Sequence, residues 1–259
     1  MAVNGDMRAL LELVACPVCR SKLEPRPSSL GCTGCGRAFD LHSGVPVLFA
    51  GKSGQPQPTT LARAQYAVLG NPRLYDFHQK HGGGRPIAAQ VGRALGDVDD
   101  VTLLDIGAGT GMALGLMPPT TRYVWFDNDQ LKLRGFVAKS IDALAVLGDA
   151  TRLPFADQVA DQTLMVEVSH HLPDDALHVC LDEVARVTRD RFLFVDALRG
   201  RRLRSRFLWQ LDLGRFPRTE AALVEALGVS FDVATVERFR VNHDHVLCVC
   251  TPRRPHPPL

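Results

Sequence analysis

Two sets of residues in this 259-residue chain have the types and spacing to do chemistry. The first is a set of thiols, Cys16-Pro-Val-Cys19 and Cys32-Thr-Gly-Cys35, with twelve residues between the pairs. Each pair can turn two thiolates toward one point, and two such turns on adjacent hairpins complete a tetrahedral shell for Zn²⁺. Pro17, Gly34 and Gly36 suit those turns. A pair of disulfides is the alternative, which a reducing compartment disfavours. The second set is acidic and glycine-rich: Asp105, Gly107, Gly109 and Gly111 in one run, then Asp127, Asp149, Glu167, His170 and His171. Glycines without a Cβ let the backbone lie against a ligand. A dinucleotide fingerprint would place its third glycine where Met112 stands, so a nicotinamide ligand loses ground. Asp127 follows Gly107 by twenty residues, the spacing at which a carboxylate accepts from both hydroxyls of an adenosine ribose. His170 and His171 can take a proton near neutral pH. Glu167 can do the same or cap a loop.

These residues need elements that deliver them to one edge. Val101–Leu104 and Tyr123–Phe126 are short apolar runs that read as buried parallel strands ending at Asp105 and Asp127. A third strand ends at Gly148-Asp149-Ala150, and Asp161–Glu167 is a fourth. Asp174–Val187 places Leu177, Leu181, Val184 and Val187 at helical spacing. A fifth strand is expected to end near Asp196, despite a shortened turn at Thr188. Residues 219–228 read as a helix, and Phe231–Phe239 and His245–Thr251 as two final antiparallel strands. Residues 50–60 have the composition of a linker. Residues 61–95 read as two or three helical pieces, in which Tyr66, Tyr75, His78 and His81 either line a substrate mouth or serve ordinary packing.

Hydrophobic residues at 46% and charged residues at 22% fit an ordinary soluble globular chain. A net charge of +2 is too small to imply a polyanion partner by itself. The polar start has no signal-peptide pattern, and no run reaches the roughly 20 apolar residues of a membrane helix, so a soluble, cytoplasmic protein is expected. Cys180, Cys248 and Cys250 lie in apolar contexts and read as buried small hydrophobes. Between Arg199 and Arg218 stand seven arginines and one acid, with Leu203, Phe207, Leu208 and Leu211 as an apolar stripe. That is the pattern of a basic amphipathic helix, suited to phosphate, RNA or a membrane surface, or else a solvated face. Trp209 and Arg215 are candidate substrate contacts.

The ordered series from about 98 to 196 resembles the class I S-adenosylmethionine-dependent methyltransferases. That resemblance implies an α/β fold with a Rossmann-like seven-stranded sheet and S-adenosyl-L-methionine as cofactor. It places Asp105 at the cofactor's ammonium group and Gly107, Ala108, Gly109 and Gly111 under its homocysteine and ribose. Asp127 and Asn128 fall at the ribose, Asp149 and Ala150 at the adenine, and Glu167 at the edge of the cofactor site. In Ser169-His-His-Leu-Pro-Asp174, His171 resembles a position in small-molecule methyltransferases of the ubiquinone-pathway type. No Asn-Pro-Pro-Tyr run for base or glutamine methylation is present. The cysteine segment, with Leu13–Glu24, Leu30–Asp40 and Ser43–Phe49, resembles the zinc ribbons that activate tRNA, rRNA and release-factor methyltransferases. It is also similar to the ribbon ahead of bacterial 23S rRNA guanine methyltransferases, although those have His where this chain has Cys35. The expected layout is a structural zinc ribbon over 1–50, linker and lid helices over 51–97, and the methyltransferase domain over 98–259. The expected activity is methylation of a small molecule at O, N or C. RNA base methylation, with ribbon and Arg-rich helix gripping RNA, is the alternative; a non-catalytic binding or activator protein is the third reading.

Overall fold

The computed structural model describes residues 6–51, 84–138, 143–199 and 215–254. A short helix, α1 (Met7–Leu11), precedes four strands: β1 (Leu23–Arg26), β2 (Ser29–Cys32), β3 (Ala38–His42) and β4 (Val45–Leu48). Helix α2 (Gly84–Leu95) leads into β5 (Thr102–Ile106) and β6 (Arg122–Asp127). Helix α3 (Gln130–Val137), β7 (Leu144–Gly148), β8 (Ala160–Val166), helix α4 (Asp174–Val187) and β9 (Thr188–Ala197) follow. Helix α5 (Glu220–Ser230), β10 (Phe231–Arg240) and β11 (Asp244–Pro252) close the fold.

Seven of these strands stand in the order β7-β6-β5-β8-β9-β11-β10. The pairs from β7 to β9 are parallel, and β11 and β10 close the sheet antiparallel. The parallel strands are buried on both faces, which is why they read as continuous apolar runs. On one face Leu103, Tyr123 and Trp125 pack with Ile87 and Val91 of α2 and Leu133 and Phe136 of α3. On the other, Leu104, Val124 and Phe126 pack with Leu177, Leu181 and Val184 of α4 and Leu223 and Leu227 of α5. The turn expected before the fifth strand is absent: β9 begins directly at Thr188, the C-cap of α4.

The ribbon is continuous with this sheet. Strands β1 to β4 form an antiparallel meander, and β4 pairs in parallel with β7, Val47 opposite Leu147 and Leu48 opposite Gly148. The result is one eleven-stranded sheet, so the seven-stranded core carries four further strands on its β7 edge. Gly148 is required at the join: a Cβ there would lie 3.2 Å from the Leu48 carbonyl and 2.8 Å from the Phe126 ring. A second seam reinforces the first. The Ala15 N–H donates to the Pro154 carbonyl at 2.9 Å, and the Ala156 N–H to Leu13 at 2.9 Å. Arg20 pairs with Glu183 at 2.7 Å. Leu10, Leu13, Val14, Leu30, Phe39 and Leu48 belong to the same buried cluster as Phe126, Val146 and Phe155. A segment of this size buries too little surface alone and here shares the core of its neighbour. Residues 52–60 of the linker expected over 50–60, the helical pieces before residue 84, Tyr66, Tyr75, His78, His81, Trp209 and most of the Arg-rich segment lie outside the described residues.

Candidate functional site

The carboxyl ends of β5 and β6 bring the glycine turn and Asp127 together. Gly107 and Ala108 donate their N–H groups to the Phe126 carbonyl at 2.8 and 3.1 Å. Gly109 donates to Asp127 Oδ2 at 2.9 Å, and Asp129 donates to Asp127 Oδ1 at 3.0 Å. Lys132 lies 3.6 Å from Asp127 Oδ2. The Trp125 indole N–H holds the turn from below, donating to the Gly109 carbonyl at 2.8 Å, and its ring stacks on Phe136 at 5.4 Å. Gly107, Gly109 and Gly111 all have positive φ, the left-handed region that side chains resist. A Cβ at Gly107 would meet Val168 Cγ2 at 2.3 Å, so the turn after β8 lies directly on the glycine turn.

Asp105 is buried beneath this turn and accepts a hydrogen bond from the Tyr123 hydroxyl. Burial pushes its carboxyl up to about 7, against the Tyr123 hydrogen bond and with the nearby charge of Asp127 adding to the rise. Tyr123 is pushed well above its ordinary value by burial and by Asp105. A buried carboxyl so short of compensating charge is chemically matched to an ammonium group. Asp127 retains acceptor capacity beyond its two N–H donors, since an ionised carboxylate has about four lone-pair sites. The residues therefore fit the cofactor. Asn128 is exposed beside Asp127, and Asp149 is exposed as well. The Asp149 carboxylate caps its own turn, accepting from the Thr151 N–H at 2.9 Å and its hydroxyl at 2.7 Å, with Ala150 opening that turn.

A second polar group gathers at the ends of β8, β9 and β11. Glu167 follows β8 with φ +58°, an uncommon conformation for a non-glycine residue, and its N–H donates to Val195 at 2.9 Å. His170 is buried, its Nδ1 2.5 Å from Asp196 Oδ1. Asp196 also accepts from the N–H groups of Ser169 at 2.7 Å and Ala197 at 2.8 Å. Burial works to raise the Asp196 carboxyl, but His170 and the N–H donors hold it below the usual range. Glu167, His170 and Asp196 offer three ligand atoms within 4.8 Å of one another. With three N–H donors already on Asp196, that carboxylate orients His170 and is a poor cation ligand. His171 is exposed and tilts against His170 at 4.3 Å between ring centroids. Arg215, at the end of the Arg-rich segment, is exposed. Arg218 instead bonds the Ser169 and Leu172 carbonyls and Asp174, which ties the His170 turn to α4.

Sequence reasoning passed over Tyr123, Trp125, Asp196 and His245. Alternation in β6 was the available signal for the first two, because Tyr123, Trp125 and Asp127 share one face. Asp196 was legible as a strand end, but its bond to His170 depends on tertiary packing.

The four cysteines lie on two turns of the ribbon. Cys16 and Cys35 sulfurs are 3.8 Å apart and those of Cys19 and Cys32 3.4 Å, near the roughly 3.8 Å edge of a tetrahedron with Zn–S bonds of about 2.3 Å. The Val18 N–H points at Cys16 Sγ and the Cys35 N–H at Cys32 Sγ, each at 3.4 Å, as a thiolate requires. The donor set fits a zinc ion, and four sulfurs converging on one point favour it over two separate disulfides. Cys180, Cys248 and Cys250 are buried, and burial pushes each thiol up to about 12, which makes them inert.

Comparison with known proteins agrees with both halves. A family model described as a methyltransferase domain matches residues 104–195, and one for Trm112p-like proteins matches residues 8–44. A UPF0434 protein of Shewanella sediminis is 44% identical over 48 residues, 18% of this chain and 80% of that protein. One from Shewanella denitrificans is 42% identical over 48 residues, covering 86% of its length. Among solved structures, a complex between the Haloferax volcanii Trm112 methyltransferase activator and a putative methyltransferase gives a TM-score of 0.60 at 18% identity. It covers 75% of this chain and 98% of that one. The pyocyanin biosynthetic protein PhzM gives 0.58 at 17% identity, covering 73% of this chain, which spans 61% of PhzM. The magnesium protoporphyrin IX methyltransferase of Synechocystis with bound SAH gives 0.53 at 16%, covering 77% of this chain and 90% of that one.

Through its N-terminal ribbon the chain belongs to the UPF0434 family of Trm112p-like proteins. Its residues 104–195 carry a methyltransferase domain, which makes the chain an S-adenosylmethionine-dependent methyltransferase with that zinc ribbon in the same polypeptide. Among the described residues no helix is long and apolar enough to cross a membrane.

Proposed function

We propose that the chain methylates a small-molecule acceptor held at the ends of β8, β9 and β11. The observation that carries this reading is Glu167, a carboxylate in a left-handed turn beside the glycine turn. Open α/β sheets bind ligands at such strand ends. Carboxylates gathered there suit a small protic or cationic acceptor and oppose a polyphosphate backbone. PhzM and the protoporphyrin enzyme are named for small-molecule chemistry, in keeping with this reading. Asp105 binds the cofactor's ammonium group, the backbone of Gly107 to Gly111 underlies it, and Asp127 with Asn128 takes its ribose. Ala150 contributes its backbone near the adenine, and Asp149 shapes that turn.

When bound, S-adenosylmethionine supplies an electrophilic methyl group on a sulfonium. The protein's part is orientation: the glycine turn is locked to β6, and the His170 turn is locked to Asp196 and Arg218. His170 acts as a positioning residue, and the exposed His171 faces the acceptor side. In the same reading the ribbon over residues 1–50 is an in-chain activator, held where a sheet edge would otherwise be exposed, and 98–259 carry the reaction. Turnover of methyl-labelled cofactor against cell extract, split into metabolite and nucleic-acid fractions, tests the acceptor. Label in the metabolite fraction is expected; label confined to nucleic acid overturns the small-molecule reading.

A further inference from the structure

His245 was not among the residues that the sequence singled out, yet it is buried at the reactive edge. It begins the inward run of β11, opposite Ala197 of β9, and stacks on Phe239 at 5.0 Å. Its Nδ1 lies 2.9 Å from the His243 carbonyl, so Nδ1 carries the proton and donates it. In a neutral imidazole the other nitrogen is then a bare acceptor. That nitrogen, Nε2, lies 3.4 Å from Glu167 Oε1. The same Oε1 is shielded from solvent and has no hydrogen-bond donor. With the imidazole neutral and the carboxylate ionised, two lone pairs therefore face each other. One added proton converts this opposition into a hydrogen bond, whichever atom carries it.

We propose that Glu167 and His245 form a single proton-accepting unit, which takes the proton that a hydroxyl or N–H acceptor loses on methylation. This rests on the methyltransferase reading above. In the step, the acceptor atom forms a bond to the methyl carbon as the carbon–sulfur bond breaks. The electron pair of that bond goes to sulfur, and the acceptor's proton passes to Glu167, where it is shared with Nε2. Glu167 is the group that touches the acceptor; His245 is a positioning residue. The left-handed backbone at Glu167 aims the side chain there, consistent with strain concentrated at a working site.

The surroundings favour a base of raised affinity. Burial raises the Glu167 carboxyl, opposed by His245 and His170 and assisted by the charge of Asp196. Burial works to lower His245, but Glu167, the His243 carbonyl and Asp196 raise it beyond its ordinary value. The facing groups are thus Asp196 from β9, His170 from the turn after β8, and His243 from the final hairpin. An acceptor with no proton to lose, such as a thioether or tertiary amine, needs none of this.

Carbon-13 and nitrogen-15 NMR titration of the wild-type chain tests the unit without turnover. Glu167 carboxyl and His245 ring signals are expected to share one midpoint, above both ordinary values. In Glu167→Gln the His245 midpoint is expected to fall. Separate midpoints near the ordinary carboxylate and imidazole values in the wild type, or an unmoved His245 in the variant, overturn the proposal. Calorimetry with S-adenosylmethionine on the same sample separates the two readings: absent cofactor binding with a shared midpoint sinks the methyltransferase reading and leaves the proton unit. Methyl label passing only to aprotic members of a panel of hydroxyl, amine and thioether compounds overturns the acceptor class.

Discussion

The two wings of the sheet hold their reactive groups by opposite means. In the ribbon, four thiols converge on short turns, with sulfurs 3.4 to 3.8 Å apart and two backbone N–H groups aimed at them. A tetrahedral cation would satisfy all four sulfurs at once. At the tips of β5 and β6, by contrast, the carboxylates stand on strands buried on both faces, and hydrogen bonds from Gly109, Asp129 and Tyr123 fix them from within the protein. The turns of the ribbon are expected to depend on the metal, beyond what the shared core and the β4–β7 join supply. The glycine turn is positioned by apolar burial and its own hydrogen bonds, so its folding is expected not to depend on a ligand. Strand β4 joins the two, so damage to the metal site is expected to expose the β7 edge.

The sharpest way to break this contrast is to remove a thiolate. Cys32→Ser is expected to lose zinc and, with it, most of a folding contribution of about 10–16 kcal/mol in isolated zinc domains. Metal analysis and limited proteolysis should find cuts within residues 16–48 and an intact methyltransferase segment. Stoichiometric zinc in the variant would refute the ligand set. The matching change in the other wing is Trp125→Ala, which removes a fully buried ring and the clamp on the Gly109 carbonyl. A loss of about 3–5 kcal/mol is expected in denaturant unfolding, with zinc retained. A loss below about 1 kcal/mol would mean that the ring is not what supports the glycine turn.

A smaller effect separates binding from stability within the cofactor site. Burial raises the Asp105 carboxyl from 3.8 to about 7. Between those values the folded chain holds the proton more tightly than the unfolded chain. The stability from this group therefore falls as pH rises through that window and is lost above about 7. Asp105→Asn is expected to make the ligand-free protein more stable at pH 8, by roughly 4 kcal/mol at most, to flatten this pH dependence and to weaken cofactor binding. Thermal unfolding between pH 5 and 8 checks it; an unchanged or lower melting temperature at pH 8 would show that Asp105 is not a strained carboxylate.

Much of this was legible in the sequence because it depends on neighbours along the chain. The apolar runs ending at Asp105 and Asp127, the helix Asp174–Val187 and the two final strands all appear within a residue or two of their expected bounds. The cysteine spacing disclosed the metal site for the same reason. What pattern did not disclose depends on pairing between distant segments. The β4–β7 join fuses two expected domains into one sheet, although neither strand carries a mark of its partner. His245 stands 78 residues from Glu167 and faces it only through the register of β11 on β9. Asp149, expected at the adenine from its place in a series, also caps its own turn through Oδ1, a local role that the series does not reveal.

The central claim is that the glycine turn, Asp105 and Asp127 together hold S-adenosylmethionine, and titration calorimetry tests it most directly. Wild-type protein is expected to bind one equivalent, and Asp127→Ala to bind it more weakly by about 1–3 kcal/mol, the scale of lost hydrogen bonds to a charged group. Binding of equal strength in the variant, or no heat of binding in the wild type, would contradict the account.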